Sequence, residues 1–350
     1  MPQTPQLRDP LVAIENLSVD FEDRHAYSRV LHGVDIAVHR GEALGIVGES
    51  GCGKSITWLA ALGLLGRNAR VSGSVRLDGV ELIGASEDTL SEVRGGRIAM
   101  IFQDPSSSLN PLHRIGQQLV ESLGLHRQLS GAAAEKEAER LLDSVGIANA
   151  RGRLRDYPHE FSGGMNQRVM IAMALAGDPD MLVADEPTTA LDTTIQAQIL
   201  DLLEEVRRER GMALVLISHD LGLVSEMTER VAVMYCGRLV EKLQTDRLFD
   251  RPAHPYTRGL IGALPSMDGP RQRLVAIPGT VPPPRGLPQG CAFAPRCPSA
   301  RRVCTLAVPA LRAIAGDRLH HSACALADDI AIAPPVLSFA GADAGMGAFR

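Results

Sequence analysis

Three short stretches of this chain carry residue types at spacings suited to binding and cleaving a phosphoanhydride. The first is GESGCGKS at residues 48–55, which fits G-x-x-x-x-G-K-[ST], a phosphate-binding loop. An apolar, strand-like run (43–47) precedes it and a helix-like run (56–65) follows it. Gly48, Ser50, Gly51 and Gly53 would turn successive backbone N–H groups toward an anion, and the helix N-terminus adds positive potential. Lys54 would then reach the β- and γ-phosphates and Ser55 would hold Mg²⁺, with Ile56 completing the nucleotide-contacting stretch. The second stretch is MLVADE at residues 181–186. Two carboxylates ending an apolar strand serve no packing need. Asp185 suits Mg²⁺ through water, and Glu186 suits orienting and deprotonating an attacking water. The third is FSGGMNQR at residues 161–168, where Ser162, Gly163 and Gly164 form a second N–H-rich turn at a helix start. If the two turns lie far apart, one nucleotide cannot occupy both within one chain. A second copy of the fold would then supply the missing half.

The elements that must position these residues follow an α/β rhythm. Runs at 11–48, 71–82 and 98–102 read as strands, the last ending at Gln103. From 104 to 180 strand signals vanish and helical patterns appear at 116–125, 132–145 and 164–176. The alternation then returns through strands at 181–184, 213–217 and 231–235 and helices at 194–209 and 221–228. This predicts an α/β nucleotide-binding core, residues 8–103 and 177–253, with a helical insertion at 104–176. A Pro-, Gly- and Arg-rich composition begins near His254 and suggests a separate small module over 254–326. An Ala/Gly/Pro-rich tail at 327–350 is expected to be disordered. The 350 residues carry a net charge of −5, so no basic field argues for nucleic acid. No apolar run reaches membrane-spanning length and no signal-peptide pattern opens the chain, which predicts a cytoplasmic protein.

In this order the motifs resemble those of the ATPase subunits of ATP-binding cassette (ABC) transporters. GESGCGKS resembles the Walker A motif, FSGGM (with Met165 where glutamine is commonest) the signature motif, and MLVADE the Walker B motif. Ala190-Leu191-Asp192 resembles the D-loop, Gln103 the Q-loop glutamine, and His219 in LISHD the switch histidine. The resemblance implies a P-loop NTPase of the ABC type that binds ATP and Mg²⁺. In it Glu186 and His219 act in catalysis, Ser55, Gln103 and Asp185 hold the metal, and Ser162, Gly163, Gly164 and Met165 contact ATP held by a partner chain. Phe21 resembles the aromatic that stacks on adenine, with Tyr27 as the alternative.

Residues 101–119 and 162–175, together with HPYTRGLIGALP and GCAFAPRCPSA in the tail region, resemble the oligopeptide and dipeptide importer branch. That implies a second ATPase subunit, usually a paralogue, two membrane permease subunits and an extracytoplasmic substrate-binding protein. The subunit would sit peripherally on the inner face of the cell membrane. Related importers of nickel or another solute, and non-transport ABC ATPases, are the alternatives. Cys291, Cys297, Cys304 and Cys324 are spaced C-x5-C-x6-C-x19-C. Four thiolates suit an iron–sulfur cluster or tetrahedral zinc, although the short C-x2-C knuckles usual for zinc are missing. Unligated thiols are the remaining possibility. The branch resemblance implies a [4Fe–4S] cluster, with Zn²⁺ as the alternative.

Overall fold

The computed structural model describes residues 9–23, 26–103, 108–189, 191–264 and 276–331. Two sheets form the core. The first is a four-stranded antiparallel sheet in the order β2-β1-β4-β5, built from β1 (Val12–Asp23), β2 (Ala26–Val38), β4 (Ala69–Leu77) and β5 (Val80–Glu81). Val12, Ile14, Leu17 and Val19 point into its core. The step from Ile14 to Leu17 is three residues rather than two because the register shifts there, with Asn16 in the left-handed region.

The second sheet is centred on five parallel strands: β9 (Arg230–Tyr235), β3 (Ala43–Val47), β8 (Ala213–Ser218), β7 (Met181–Asp185) and β6 (Ile98–Ile101), adjacent in that order. Every residue of β3, β7 and β8 is buried, which is why they read as unbroken apolar runs rather than alternating ones. Helix α1 (Lys54–Ala61) follows β3 and buries Trp58 between the two sheets. α2 (Glu87–Val93), which the sequence pattern did not signal, is short and capped by Ser86. The insertion consists of α3 (Ile115–Arg127), α4 (Gly131–Ser144), α5 (Ala150–Arg153) and α6 (Gly163–Ala174). Leu119, Leu123, Leu141, Leu142 and Val169 join these helices to the main core. α7 (Thr193–Arg210) and α8 (Leu221–Met227) return the chain to the parallel sheet.

Two features of the C-terminal region bear on its expected boundaries. First, its strands extend the main sheet. β10 (Arg238–Gln244) pairs with β9 through a tight turn at Cys236 and Gly237, and β12 (Asp317–Ser322) then pairs with β10, followed by β11 (Arg312–Ile314). The main sheet thus continues to eight strands, because an open edge at β10 offers unpaired backbone groups that β12 satisfies. The region also contributes α9 (Pro255–Gly262) and α10 (Val303–Leu306). Second, residues 327–331, assigned to a disordered tail, form α11 (Ala327–Ala331). Alanine favours helix, and Ala327 and Ile330 fall on one face and are buried near Ala253 and Ile314. The remainder of that tail, 332–350, lies outside the described residues. Among the described residues no helix is long and apolar enough to cross a membrane.

Candidate functional site

The phosphate-type loop sits at the C-terminal end of β3, between that strand and α1. Gly48, Gly51 and Gly53 all have positive φ, at 153°, 76° and 103°. At Gly48 the requirement is also steric, since a Cβ would lie 2.3 Å from the Met234 carbonyl oxygen. Ser50 and Gly51 form the exposed tip. Lys54 is buried, and its Nζ donates to the carbonyls of Gly48 at 2.7 Å and Glu49 at 3.3 Å. Ser55 and Ile56 are half-buried at the start of α1, and the Ser55 hydroxyl lies near enough to Asp185 to favour its ionised form.

Asp185 ends β7 and is buried. Burial pushes its carboxyl pKa up, the neighbouring Glu186 pushes the same way, and Ser55 and Lys54 oppose the rise. A carboxylate held at that cost beside a second carboxylate is relieved by a divalent cation. Glu186 adopts the left-handed conformation, φ 48°, uncommon for a non-glycine residue. Its backbone N–H donates to the Ile217 carbonyl on β8. Its Oε2 collects three neighbours. Gln103 Nε2 donates at 3.0 Å, Thr189 Oγ1 donates at 2.9 Å, and His219 Nδ1 lies 3.5 Å away. Three separated motifs therefore meet on one carboxylate oxygen at the carboxyl ends of the parallel strands, where open α/β sheets gather ligands. Gln103, expected to contact ATP and the metal, here donates to Glu186. Thr189 was missed by sequence reasoning; its signal is a hydroxyl three residues past the carboxylate within one turn.

The signature-type turn is assembled elsewhere. Ser162 caps α6 by accepting from the Met165 N–H at 3.3 Å, and Ser162 and Gly163 are exposed. Gly163, Gly164, Met165, Leu191 and Asp192 line a cleft with Arg153 and Arg168. Asp192 caps α7 by accepting from the Ile195 N–H at 3.0 Å. Ala190 lies outside the described residues. No residue of the 48–55 loop lines this cleft.

Of the two aromatics considered for adenine, Phe21 packs against the core of the antiparallel sheet. Tyr27 is 39% exposed, with the Arg70 guanidinium 3.9 Å from its ring centre. In the C-terminal region Cys291, Cys297, Cys304 and Cys324 line one pocket with Phe293, Pro309 and Leu326, and all four are free thiols. Burial raises the Cys291 thiol, and carries Cys297 to about 12 and Cys324 to about 11. Among the described residues no set of three or more His, Cys, Asp or Glu is arranged to hold a metal ion.

The ABC transporter family model matches residues 31–189, and that of the oligopeptide/dipeptide transporter C-terminal region matches residues 240–304. A peptide import ATP-binding protein of Brucella abortus is 49% identical over 88% of this chain and 93% of its own length. The oligopeptide transport ATP-binding protein OppD of Salmonella typhimurium is 47% identical over 91% of this chain and 94% of its own. Among solved structures, a post-hydrolysis dimer of the ATP-binding cassette MJ0796 bound to ADP and phosphate aligns with a TM-score of 0.60 and 26% identity. That alignment covers 67% of this chain and 98% of the cassette. With these similarities beside a phosphate loop, paired carboxylates and a signature turn in the expected order, the chain belongs to the ABC transporter ATPases, in the branch that carries the oligopeptide/dipeptide C-terminal region.

Proposed function

We propose that this ATPase powers a peptide importer, and that Glu186 is the group that activates water. The observation carrying the catalytic assignment is the convergence of Gln103, Thr189 and His219 on Glu186 Oε2. The carboxylate would accept a proton from the attacking water, with Gln103 and His219 holding that water and sensing the γ-phosphate. Lys54 would turn from the Gly48 carbonyl toward the β- and γ-phosphates. Ser55 and Asp185 would hold Mg²⁺, which supplies charge neutralisation on the phosphates, and Gln103 would complete its surroundings.

The exposed Ser162 turn, with Gly163, Gly164, Met165 and Asp192, would close over ATP held by a second ATPase chain, in this branch a paralogue. Closure on ATP and opening after hydrolysis would drive two permease subunits, with cargo delivered by an extracytoplasmic binding protein. The segment from Gln103 to Gly116, part of which lies outside the described residues, would meet a permease on the inner membrane face.

The four cysteines share one apolar pocket and offer the donor type of a four-thiolate centre, although as they stand they are not arranged to hold a metal ion. We assign them to a [4Fe–4S] cluster, with Zn²⁺ as the alternative. Ligation would deprotonate Cys291, Cys297 and Cys324, thiols whose pKa burial raises.

The test of the catalytic assignment is Glu186→Gln in the assembled transporter. Hydrolysis should fall by about 10²–10⁴, the range for one positioned base, while MgATP binding persists and the ATP-bound dimer accumulates. Wild-type turnover would overturn the role given to Glu186.

A further inference from the structure

The phosphate loop is gripped from outside its own motif. Glu49, its second residue, has every polar group engaged. Its carboxylate takes a two-pronged ion pair from Arg296, Nη1 to Oε2 at 2.7 Å and Nη2 to Oε1 at 3.0 Å. Its backbone N–H donates to the Tyr256 hydroxyl at 2.7 Å. Its carbonyl accepts from the Cys52 N–H and from Lys54 Nζ, both at 3.3 Å. The Gly48–Glu49 peptide is thus held on both edges, with Lys54 on the Gly48 carbonyl and Tyr256 on the Glu49 N–H.

The two gripping residues are themselves fixed. Arg296 is 7% exposed and closes a helical turn between Cys291 and Cys297. Its remaining donors go to the carbonyls of Pro278 and Ile277 and to the Tyr235 hydroxyl. Tyr256 is fully buried at the start of α9. Its ring packs 4.6 Å from Tyr235 and 5.4 Å from Phe293, centre to centre. His254 caps that helix by accepting from the Tyr256 N–H at 3.1 Å. A buried, bidentate guanidinium with every nitrogen engaged is costly to maintain unless its partner must stay in place.

We propose that the C-terminal extension positions the phosphate loop, with Arg296 and Tyr256 as the positioning residues acting through Glu49. The claim rests on the reading that residues 48–55 hold the phosphates. A loop held in shape before nucleotide arrives has less ordering to do on binding, so the grip acts as affinity for nucleotide. It also gives the extension a direct route to the site: the turn bearing Arg296 is the one flanked by Cys291 and Cys297.

The experiment is calorimetric titration of the full chain with MgATP, with thermal unfolding measured alongside. Tyr256→Phe removes one hydroxyl and leaves the ring in place. It should weaken binding roughly threefold to tenfold, the equivalent of one hydrogen bond, at unchanged unfolding temperature. Arg296→Met should weaken binding about tenfold or more. Adding Glu49→Gln to it should cost nothing further, because both changes break the same contact. In the assembled transporter the Tyr256→Phe loss should fall on KM for ATP more than on kcat, a split that mere loosening of the fold would not produce. Wild-type affinity in both single variants overturns the proposal. If Arg296→Met does not fold, Tyr256→Phe decides alone. Lys54→Ala separates the two levels of the argument. Loss of binding there with none in Tyr256→Phe or Arg296→Met ends only the positioning claim. Wild-type affinity in Lys54→Ala as well ends the loop reading and the positioning claim with it.

Discussion

Two glycine-rich turns at helix starts, at 48–55 and 162–164, are built in opposite ways. The turn at 48–55 is enclosed. Its glycines take positive φ, a Cβ on Gly48 or Gly53 would collide with neighbours, its lysine is buried, and Arg296 and Tyr256 hold it from the C-terminal region. The turn at 162–164 is open. Gly163 and Gly164 are ordinary helical residues, the capping hydroxyl belongs to the turn itself, and a Cβ on Gly163 would meet nothing closer than 3.9 Å, although one on Gly164 would lie 2.8 Å from the Ile195 side chain. An anion site that works within one chain needs its backbone fixed before the ligand arrives. A surface that closes over a ligand carried by another chain needs room. On the proposed reading, the same small residues would serve two physical ends, one conformational and one steric.

Substituting one glycine in each turn should separate these ends. Gly48→Ala places a methyl 2.3 Å from a backbone oxygen that has no freedom to move, at φ 153°. Overpacking of this kind costs about 1–3 kcal/mol, and MgATP affinity of the isolated chain should fall by up to about a hundredfold. Gly164→Asp should leave that affinity unchanged and abolish ATP-driven pairing of subunits, read by size-exclusion chromatography with a hydrolysis-blocked partner. The new side chain would crowd Ile195 and add a negative charge where a phosphate is expected. If Gly164→Asp lost binding in the isolated chain as well, the contrast between an enclosed and an open turn would be lost.

This contrast was partly legible before any coordinates. The glycine spacing of the first turn, the paired carboxylates and the strand alternation around them could be read directly, because local backbone geometry dictates residue type there. Three things could not. The register shift at Asn16 depends on cross-strand pairing. The joining of β12 to β10 links residues far apart in sequence through backbone groups, which leave no residue signature. The grip on Glu49 is likewise invisible, since an arginine in a Pro-rich stretch reads as surface until its burial is known. Phe21, chosen for its resemblance to an adenine-stacking aromatic, is half-buried and packs against the antiparallel-sheet core, while the alternative, Tyr27, is exposed.

The cysteine pocket carries the next effect in size. Anaerobically purified protein should be brown and contain iron and acid-labile sulfide, and Cys→Ser at 291, 297, 304 or 324 should bleach it. Because Cys291 and Cys297 flank the turn bearing Arg296, their replacement should also weaken MgATP binding by severalfold, whereas Cys324→Ser should weaken it less. Equal nucleotide affinity across all four variants would separate the pocket from the enclosed turn. A colourless preparation with one zinc per chain would establish zinc instead.

The smallest expected effect concerns adenine, and it sharpens the description of the enclosed site at its outer edge. Stacking needs a ring face open to the ligand. Tyr27 stands at the start of β2, 39% exposed, with Arg70 against its ring. Phe21 is paired opposite Ser28 on the neighbouring strand and, half-buried, packs against the core of the antiparallel sheet. An aromatic stacking contact contributes about 0.5–1.5 kcal/mol beyond the area it buries. Tyr27→Leu should therefore weaken MgATP binding roughly twofold to tenfold and leave thermal unfolding unchanged. Phe21→Leu should do the opposite, lowering stability by about 1 kcal/mol as a core substitution with affinity intact. Inorganic triphosphate, which has no ring to stack, should bind the Tyr27 variant as it binds wild type. A loss of ATP affinity in Phe21→Leu alone would return the stacking role to Phe21. It would also mean that nucleotide binding moves the antiparallel sheet far enough to free that ring.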